Sequence, residues 1–244
     1  MSVKKIITKT LNILFPVKCV CCKKISEKSS GEDILCESCK IKLRQDAAFD
    51  CKKCGSPPFK CRCRKIKNID EIVFPYFYSG DNLRKSIYSV KKSNLYYINE
   101  FFAKDMYNSL KLCDKINIGE IDIITSTPRM KSSVRLYGYN QTAVLAKIIA
   151  EYIGVKYIPV LQASKLYAKE QKSLTQNQRV LNVANKFVVV NQIKKNKSII
   201  KDKNILVIDD VVTTGSTLSE CARIMKNTGA NKIYALCAAS VFKH

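Results

Sequence analysis

The sequence predicts an α/β protein, a domain built on a parallel sheet and preceded by a small cysteine-rich module. Three observations carry that expectation. The run Ile205–Ile208 is continuously apolar, the pattern of a strand buried on both faces of a parallel sheet. It leads through Asp209 and Asp210 into the hydroxyl-rich turn Thr213-Thr214-Gly215-Ser216-Thr217, and then into a helix-like segment from Leu218 to Thr228. Nine of the 12 cysteines lie between Cys19 and Cys63. A chain of 244 residues accommodates one or two domains. The expected boundary is near residue 68, giving 1–68 as an N-terminal helix and cysteine module and 69–244 as the α/β domain.

Composition sets further bounds. Hydrophobic residues make up 46%, ample for a core, and the formal charge is +23 from 43 Lys+Arg against 20 Asp+Glu. Such an excess suits a polyanionic partner, although a coding bias toward Lys, Ile and Asn would also fill solvated faces with Lys. There is no stretch of about 18 apolar residues, so no membrane insertion is expected. The apolar patch Leu11–Phe15 is too short for a secretory core and reads better as part of an amphipathic helix between Val3 and Pro16. A cytoplasmic location is expected. In such a reducing compartment, clustered cysteine pairs read as metal ligands rather than disulfides.

In the first module, Cys19-x2-Cys22 is followed after 13 residues by Cys36-x2-Cys39, with Ser29-Ser30-Gly31 as the turn between them. Two such knuckles can close a tetrahedral zinc site of four cysteines. A second cluster follows, Cys51-x2-Cys54 and then Cys61-x-Cys63. One or two structural Zn2+ ions are expected, with Cys21 as the odd member and the pairing left open. Four thiolates leave no open coordination position, so the metal's role is to fold the segment. Residues 1–70 carry 17 Lys and Arg against 7 Asp and Glu, and Lys52, Lys53, Lys60, Arg62, Arg64, Lys65 and Lys67 crowd the second cluster. Part of this charge offsets Zn–thiolate centres, and the remainder could form a phosphate-contacting face. Phe49 and Phe59 offer either base-stacking platforms or local core.

In the second domain, Ile69–Ser79 reads as an extended strand, and Asn82–Val90 and Ile98–Leu112 as helices. A short strand, Ile121–Thr125, runs into Ser126-Thr127-Pro128-Arg129-Met130-Lys131, at the strand end where open α/β sheets bind ligands. A helix is predicted over Gln141–Ile153, ended by Gly154. Gln162–Arg179 is long and polar, either a mobile loop or a surface helix. Asn191–Lys203 holds five lysines and reads as an exposed hairpin or turn, and Lys232–Ala239 as the last strand. Cys113, Cys221 and Cys237 read as packing residues.

The chemistry of the central stretch is that of an anion cradle. N–H groups of the turn and the positive end of the helix dipole face a phosphate, while two carboxylates accept hydrogen bonds from vicinal hydroxyls or help hold a divalent metal. A sugar phosphate offers both. Ile205–Thr217, ILVIDDVVTTGST, resembles the PRPP-binding motif of the type I phosphoribosyltransferases at all thirteen positions. That resemblance implies a type I phosphoribosyltransferase-like domain. Asp209 and Asp210 would then bind the ribose hydroxyls, and Thr213, Thr214, Gly215, Ser216 and Thr217 would wrap the 5′-phosphate. Thr127, Arg129 and Lys131 would contact pyrophosphate, and Mg2+ would accompany PRPP.

A narrower resemblance adds Phe15-Pro16, the two cysteine clusters, Gly138-Tyr139-Asn140-Gln141, and Gln171-x2-Leu174-x4-Arg179-x2-Asn182-x4-Phe187. In this order the chain is similar to the ComF family, the ComFC-type competence proteins. Tyr137 stands where that family usually has Arg, and Glu170 where it more often has a hydroxyl residue. The resemblance implies action in DNA uptake and natural transformation, on single-stranded DNA, with a competence helicase and a strand-loading protein as partners. Two other roles stay open: an active phosphoribosyltransferase with an unknown acceptor, and a PRPP-sensing regulator without DNA contact. The sequence identifies no acceptor pocket, no internal histidine base, and no N-terminal cysteine nucleophile for glutamine hydrolysis.

Overall fold

The computed structural model describes residues 18–25, 35–92, 96–129, 139–164 and 186–241. The amphipathic segment before Pro16, the Ser29–Gly31 turn, Lys131, and the Gln171 and Arg179 positions lie outside the described residues.

The sheet is five-stranded and parallel. Its strands are β1 (Glu71–Val73), β2 (Tyr76–Phe77), β3 (Ile123–Ser126), β6 (Ile205–Val212) and β7 (Ile233–Ser240). The order is β1-β7-β6-β3, with β2 following β1 along the same side of β7. Tyr157 continues the sheet beyond β3 through a parallel bridge to Ile124. The expected single strand over Ile69–Ser79 is two short ones. The break includes Pro75, which has no N–H to donate to a ladder. Two further strands, β4 (Leu161–Ala163) and β5 (Phe187–Val189), form a separate antiparallel pair.

The alternation of side chains along these strands divides the interior into two cores, one on each face of the sheet. Val73, Ile124, Leu206, Ile208 and Leu236 face the first. Ile72, Ile123, Ile205, Val207 and Ile233 face the second. Helices α1 (Glu37–Ala47), α2 (Asp81–Lys92), α3 (Tyr96–Leu112) and α4 (Gln141–Ile153) supply Leu43, Leu83, Phe102 and Leu145 to the first core. α5 (Asn191–Lys195) and α6 (Ser216–Asn227) supply Ile193, Leu218 and Met225 to the second. Covering both faces with helices satisfies a parallel sheet's need for burial on each side.

Asn191–Lys203 is not a hairpin but α5 followed by a 3-10 turn at Lys197–Ile199. Ile193 and Ile200 are fully buried, worth about 1.5–3 kcal/mol each, which outweighs the polarity of their lysine neighbours. α4 ends as predicted. Gly154 takes the left-handed conformation at φ 79°, and its N–H and that of Val155 both reach Ala150 O.

The cysteine segments contribute to both cores. Cys19, Cys21 and Cys39 belong to the first, and Cys51, Cys61 and Ile66 to the second. Between them, Phe49 stacks on Phe77 with ring centroids 5.0 Å apart. The cysteine module thus straddles the β1/β2 edge of the sheet. Arg44 on α1 fixes one side of this docking. It gives two hydrogen bonds to Asp105 on α3, at 2.9 and 3.2 Å, and Tyr76 donates to the same carboxylate.

Candidate functional site

Strand register builds the site. Ile123 to Ser126 pair with Ile205 to Ile208 in order. The next residue on each strand, Thr127 and Asp209, therefore stand side by side at the carboxyl edge, the edge where parallel sheets take ligands. Thr127 N donates to Ile208 O at 3.0 Å, and its hydroxyl donates to Asp209 Oδ1 at 2.8 Å. Asp209 Oδ1 also accepts from the Asp210 N–H at 3.0 Å.

The two acids diverge because neighbouring residues in a strand face opposite sides. Asp209 lines the hollow of the cradle together with Thr213–Thr217. Asp210 turns to Arg129, with Oδ2 3.9 Å from Nη2. Arg129 Nη2 also lies 3.5 Å from Gln141 Oε1. Both side chains of the pair are shielded, 17% and 15% exposed, so the pairing is screened by solvent less than a surface ion pair.

The cradle is the turn between β6 and α6. Gly215 caps the helix at φ 84°, a left-handed conformation that costs an L-residue about 1–2 kcal/mol. Thr214 accepts from the Ser216 N–H and donates to the Ser216 hydroxyl, which holds the turn closed. The first intrahelical bond is Ser219 N to Gly215 O, so the N–H groups of Thr217 and Leu218 precede the helical ladder. The hollow is about 30 Å3, space for roughly two waters, and its wall is polar. It suits a small anion such as a phosphate.

Beside it, between the β3 loop and β4, lies a cavity of about 200 Å3 lined by Pro128, Arg129, Asn140, Tyr157, Leu161 and Gln162, among others. The sequence did not reveal this space, because Tyr157 and Gln162 are brought to the β3 loop only by the sheet. Thr142 is a further residue whose role in the site the sequence left unread. It is buried, and its hydroxyl bonds both Thr127 O at 2.9 Å and Asn140 Oδ1 at 2.8 Å, which ties the β3 loop to the start of α4.

The eight expected metal ligands fall into two groups, Cys19, Cys22, Cys36 and Cys39, and Cys51, Cys54, Cys61 and Cys63, with all Sγ atoms of a group within 4.8 Å of one another. The sulfurs gather within each cluster rather than across the two. Tetrahedral Zn–S bonds of about 2.3 Å place sulfurs roughly 3.8 Å apart. Cys22–Cys36 and Cys54–Cys61 stand at 3.7 and 3.8 Å, and every cysteine is a free thiol. These groups could hold metal ions.

The two leading knuckles share one hydrogen-bond pattern. Cys19 N bonds Lys24 O and Lys23 N returns to Cys19 O, while Cys51 N bonds Ser56 O and Gly55 N returns to Cys51 O. Lys23 and Gly55 both take left-handed φ, 63° and 65°. Cys36 stands at the N-cap of α1, where the helix dipole favours thiolate, and its thiol is lowered despite some burial. Burial and the neighbouring thiols instead push Cys39, in the first turn, well up.

Charge is already unevenly shared within each cluster. Burial pushes the Cys19 thiol up, but N–H groups of Cys22, Cys36 and Cys21 outweigh it and bring it down to about 6. In the second cluster the Ser56 N–H brings Cys54 down to about 6, while burial and its neighbouring thiols push Cys61 up to about 12. Cys21 is no ligand. Its sulfur turns to Ser86 Oγ at 3.1 Å and Asn82 O at 3.5 Å on α2.

The chain is similar in part to several known proteins. Residues 140–243 match the model of the phosphoribosyl transferase domain. The chain is 26% identical over 96 residues to "Competence protein F" of Haemophilus influenzae, covering 39% of this chain and 40% of that protein. It is 30% identical over 103 residues to an amidophosphoribosyltransferase of Staphylococcus aureus, covering 42% of this chain and 20% of the enzyme. The matches thus span less than half the length of these curated relatives. A solved glutamine PRPP amidotransferase from B. subtilis aligns with 18% identity over 58% of this chain and 26% of that one, at a TM-score of 0.38. The fold is a parallel-sheet, phosphoribosyltransferase-like α/β fold.

Proposed function

We propose that this chain, a partial homologue of competence protein F with a phosphoribosyl transferase domain, binds PRPP and acts as a ComF-type competence protein on incoming single-stranded DNA. The observation that carries the reading is the placement of Thr127 against Asp209, which sets the β3 loop and the cradle on one edge. In this reading Thr213–Thr217 takes the 5′-phosphate, Asp209 and Asp210 take ribose hydroxyls, and Thr127 and Arg129, together with Lys131, take pyrophosphate. Mg2+ would neutralise the pyrophosphate when bound.

The division expected at residue 68 is retained as one of chemistry, thiolates before it and the sugar phosphate after it. Two structural Zn2+ ions, one per cluster, would stabilise the first part. Lys52, Lys53, Lys60, Arg62, Lys65 and Lys67 are exposed in the segment of the second cluster, a concentration of cations that would suit nucleic-acid phosphates. A competence helicase and a strand-loading protein are the proposed protein partners, in the cytoplasm. Among the described residues no helix is long and apolar enough to cross a membrane.

Transformation frequency in a strain carrying Asp209→Asn with Asp210→Asn tests this role. A fall to the level of a deletion strain is expected, and wild-type frequency would contradict it. The cavity beside Arg129 supports a second reading, transfer of the phosphoribosyl group to an acceptor seated there. Orientation and electrostatic stabilisation would then supply the catalysis. Release of pyrophosphate from Mg-PRPP on adding amine or nucleobase acceptors would favour that reading.

A further inference from the structure

The segment that leaves the second cysteine cluster lies along the cradle and the start of α6 and touches them at three places. Arg64 Nη2 donates to Thr213 O, the first residue of the turn. Ile66 is 8% exposed and packs on Gly215 so closely that a Cβ there would lie 2.9 Å from its Cδ1 and Cγ1. Asn68 Nδ2 donates to Ser219 O, in the first turn of α6, at 3.3 Å. Alternate residues of one short strap therefore hold the start and the middle of the cradle and the first turn of the helix that follows it.

The strap's origin is the metal-ligand group itself. Cys63 is bonded directly to Arg64, and Cys51 and Cys61 are buried in the same core as Val212, Leu218 and Cys221. Lys115 fastens this end to the sheet by donating to Cys61 O at 3.1 Å and to Ile72 O at 2.7 Å. Four sulfurs within 4.8 Å hold together only when an ion bridges them or most of them keep their protons. A bound ion joins Cys61 and Cys63 to Cys51 and Cys54 and fixes where the strap begins.

We propose that the second cysteine cluster is the tether of the phosphate cradle. Metal held by Cys51, Cys54, Cys61 and Cys63 keeps Arg64, Ile66 and Asn68 on Thr213–Ser219, and the affinity for a 5′-phosphorylated ribose depends on that occupancy. Arg64 is a positioning residue. By holding the Thr213 carbonyl it orients the N–H groups that follow. The proposal rests on the reading of the cradle as a sugar-phosphate site.

The test measures zinc per chain and the calorimetric affinity for Mg-PRPP in the full-length protein and in Cys63→Ser, Arg64→Ala, Arg64→Lys and Lys203→Ala. The expected result is loss of one zinc and about 10-fold weaker binding in Cys63→Ser. Arg64→Ala should weaken binding with zinc content and unfolding temperature unchanged, and Arg64→Lys, which keeps a donor for Thr213 O, should restore part of it. Lys203, whose half-exposed side chain pairs with Asp122 ahead of β6, serves as the control, with affinity unchanged. Wild-type affinity in both Cys63→Ser and Arg64→Ala overturns the tether. Should Cys63→Ser fail to fold, Arg64→Ala decides alone. Absence of PRPP binding by the wild type overturns the sugar-phosphate reading and the tether with it, an outcome distinct from a tether that fails while the wild type binds.

Discussion

Thr127 and Asp209, 82 positions apart in the chain, meet through a 2.8 Å hydrogen bond from hydroxyl to carboxylate. The bond holds Oδ1 of Asp209 on the β3 loop, while the same residue lines the hollow of the cradle. Thr127→Val keeps the shape and removes the donor. PRPP binding should weaken about 2- to 10-fold, the worth of one hydrogen bond to an oriented group, with little change in unfolding temperature. Isothermal titration against wild type checks this.

Gly215 and Ile66 should be coupled. Gly215→Ala places a Cβ at φ 84° and 2.9 Å from Ile66 Cδ1. A loss of about 1–2 kcal/mol from the backbone alone is expected, with more from the clash. Ile66→Ala should relieve the clash part, so the double variant loses less than the sum of the singles. Denaturant unfolding of all four proteins gives the coupling directly.

Asp105 is shared by Arg44 and Tyr76 beneath the cysteine helix. Asp105→Ala leaves a phenol and a guanidinium without their acceptor. Arg44 is half exposed and solvent takes up part of its loss, so about 2–3 kcal/mol of destabilisation is expected. Burial and the Asp105 charge raise Tyr76 above the usual phenol range. A raised folded pKa means that the native state keeps its proton when the unfolded state has lost it. Stability should therefore be intact below about pH 10 and fall above it. Tyr76→Phe should flatten that alkaline fall, as read from unfolding midpoints between pH 8 and 11.

Zinc binding should release protons in a pH-dependent number. With Cys19 and Cys54 both brought down to about 6, one thiol of each cluster is already ionised at pH 8 and is protonated below pH 6. Fewer than four protons per zinc are expected at pH 8, rising as the pH falls through 6, and affinity for zinc falls with it. Calorimetry in buffers of different ionisation enthalpy counts them. Cys36→Ser should remove one zinc and unfold the first cluster, and full zinc stoichiometry in that variant would contradict the ligand set.

Single-stranded DNA affinity should fall steeply with salt. Substituting Lys52, Lys53 and Lys60, all exposed, by Gln should reduce the slope of log K against log salt by about 2, from roughly 0.7 per phosphate contact. An unchanged slope would place the DNA contact elsewhere or remove it.

What the sequence made legible was local. Ile205–Ile208 announced a strand buried on both faces, Gly154 a helix end, and the cysteine spacing two clusters whose pairing it left open. What it hid depends on register and on chain crossings. Arg64 looked like one more cation in a basic crowd, since nothing in its neighbours says that it reaches Thr213, 149 residues on. The lysines of Asn191–Lys203 suggested an exposed hairpin or turn; Lys194, Lys195, Lys197 and Lys201 are exposed, but Ile193 and Ile200, buried in the second core, shape the segment into a short helix and a turn. The two acids of the motif read as one unit, yet strand alternation sends Asp209 to the cradle and Asp210 toward Arg129.

The proposed role stands or falls with the acid pair and cradle as a sugar-phosphate site. The direct measurement is calorimetric titration of Mg-PRPP into the wild type and into Asp209→Asn with Asp210→Asn, with circular dichroism and zinc content as checks of folding. Saturable one-site binding by the wild type, lost in a double variant that keeps its fold and its zinc, is the predicted result. Equal affinity in the two proteins would contradict it.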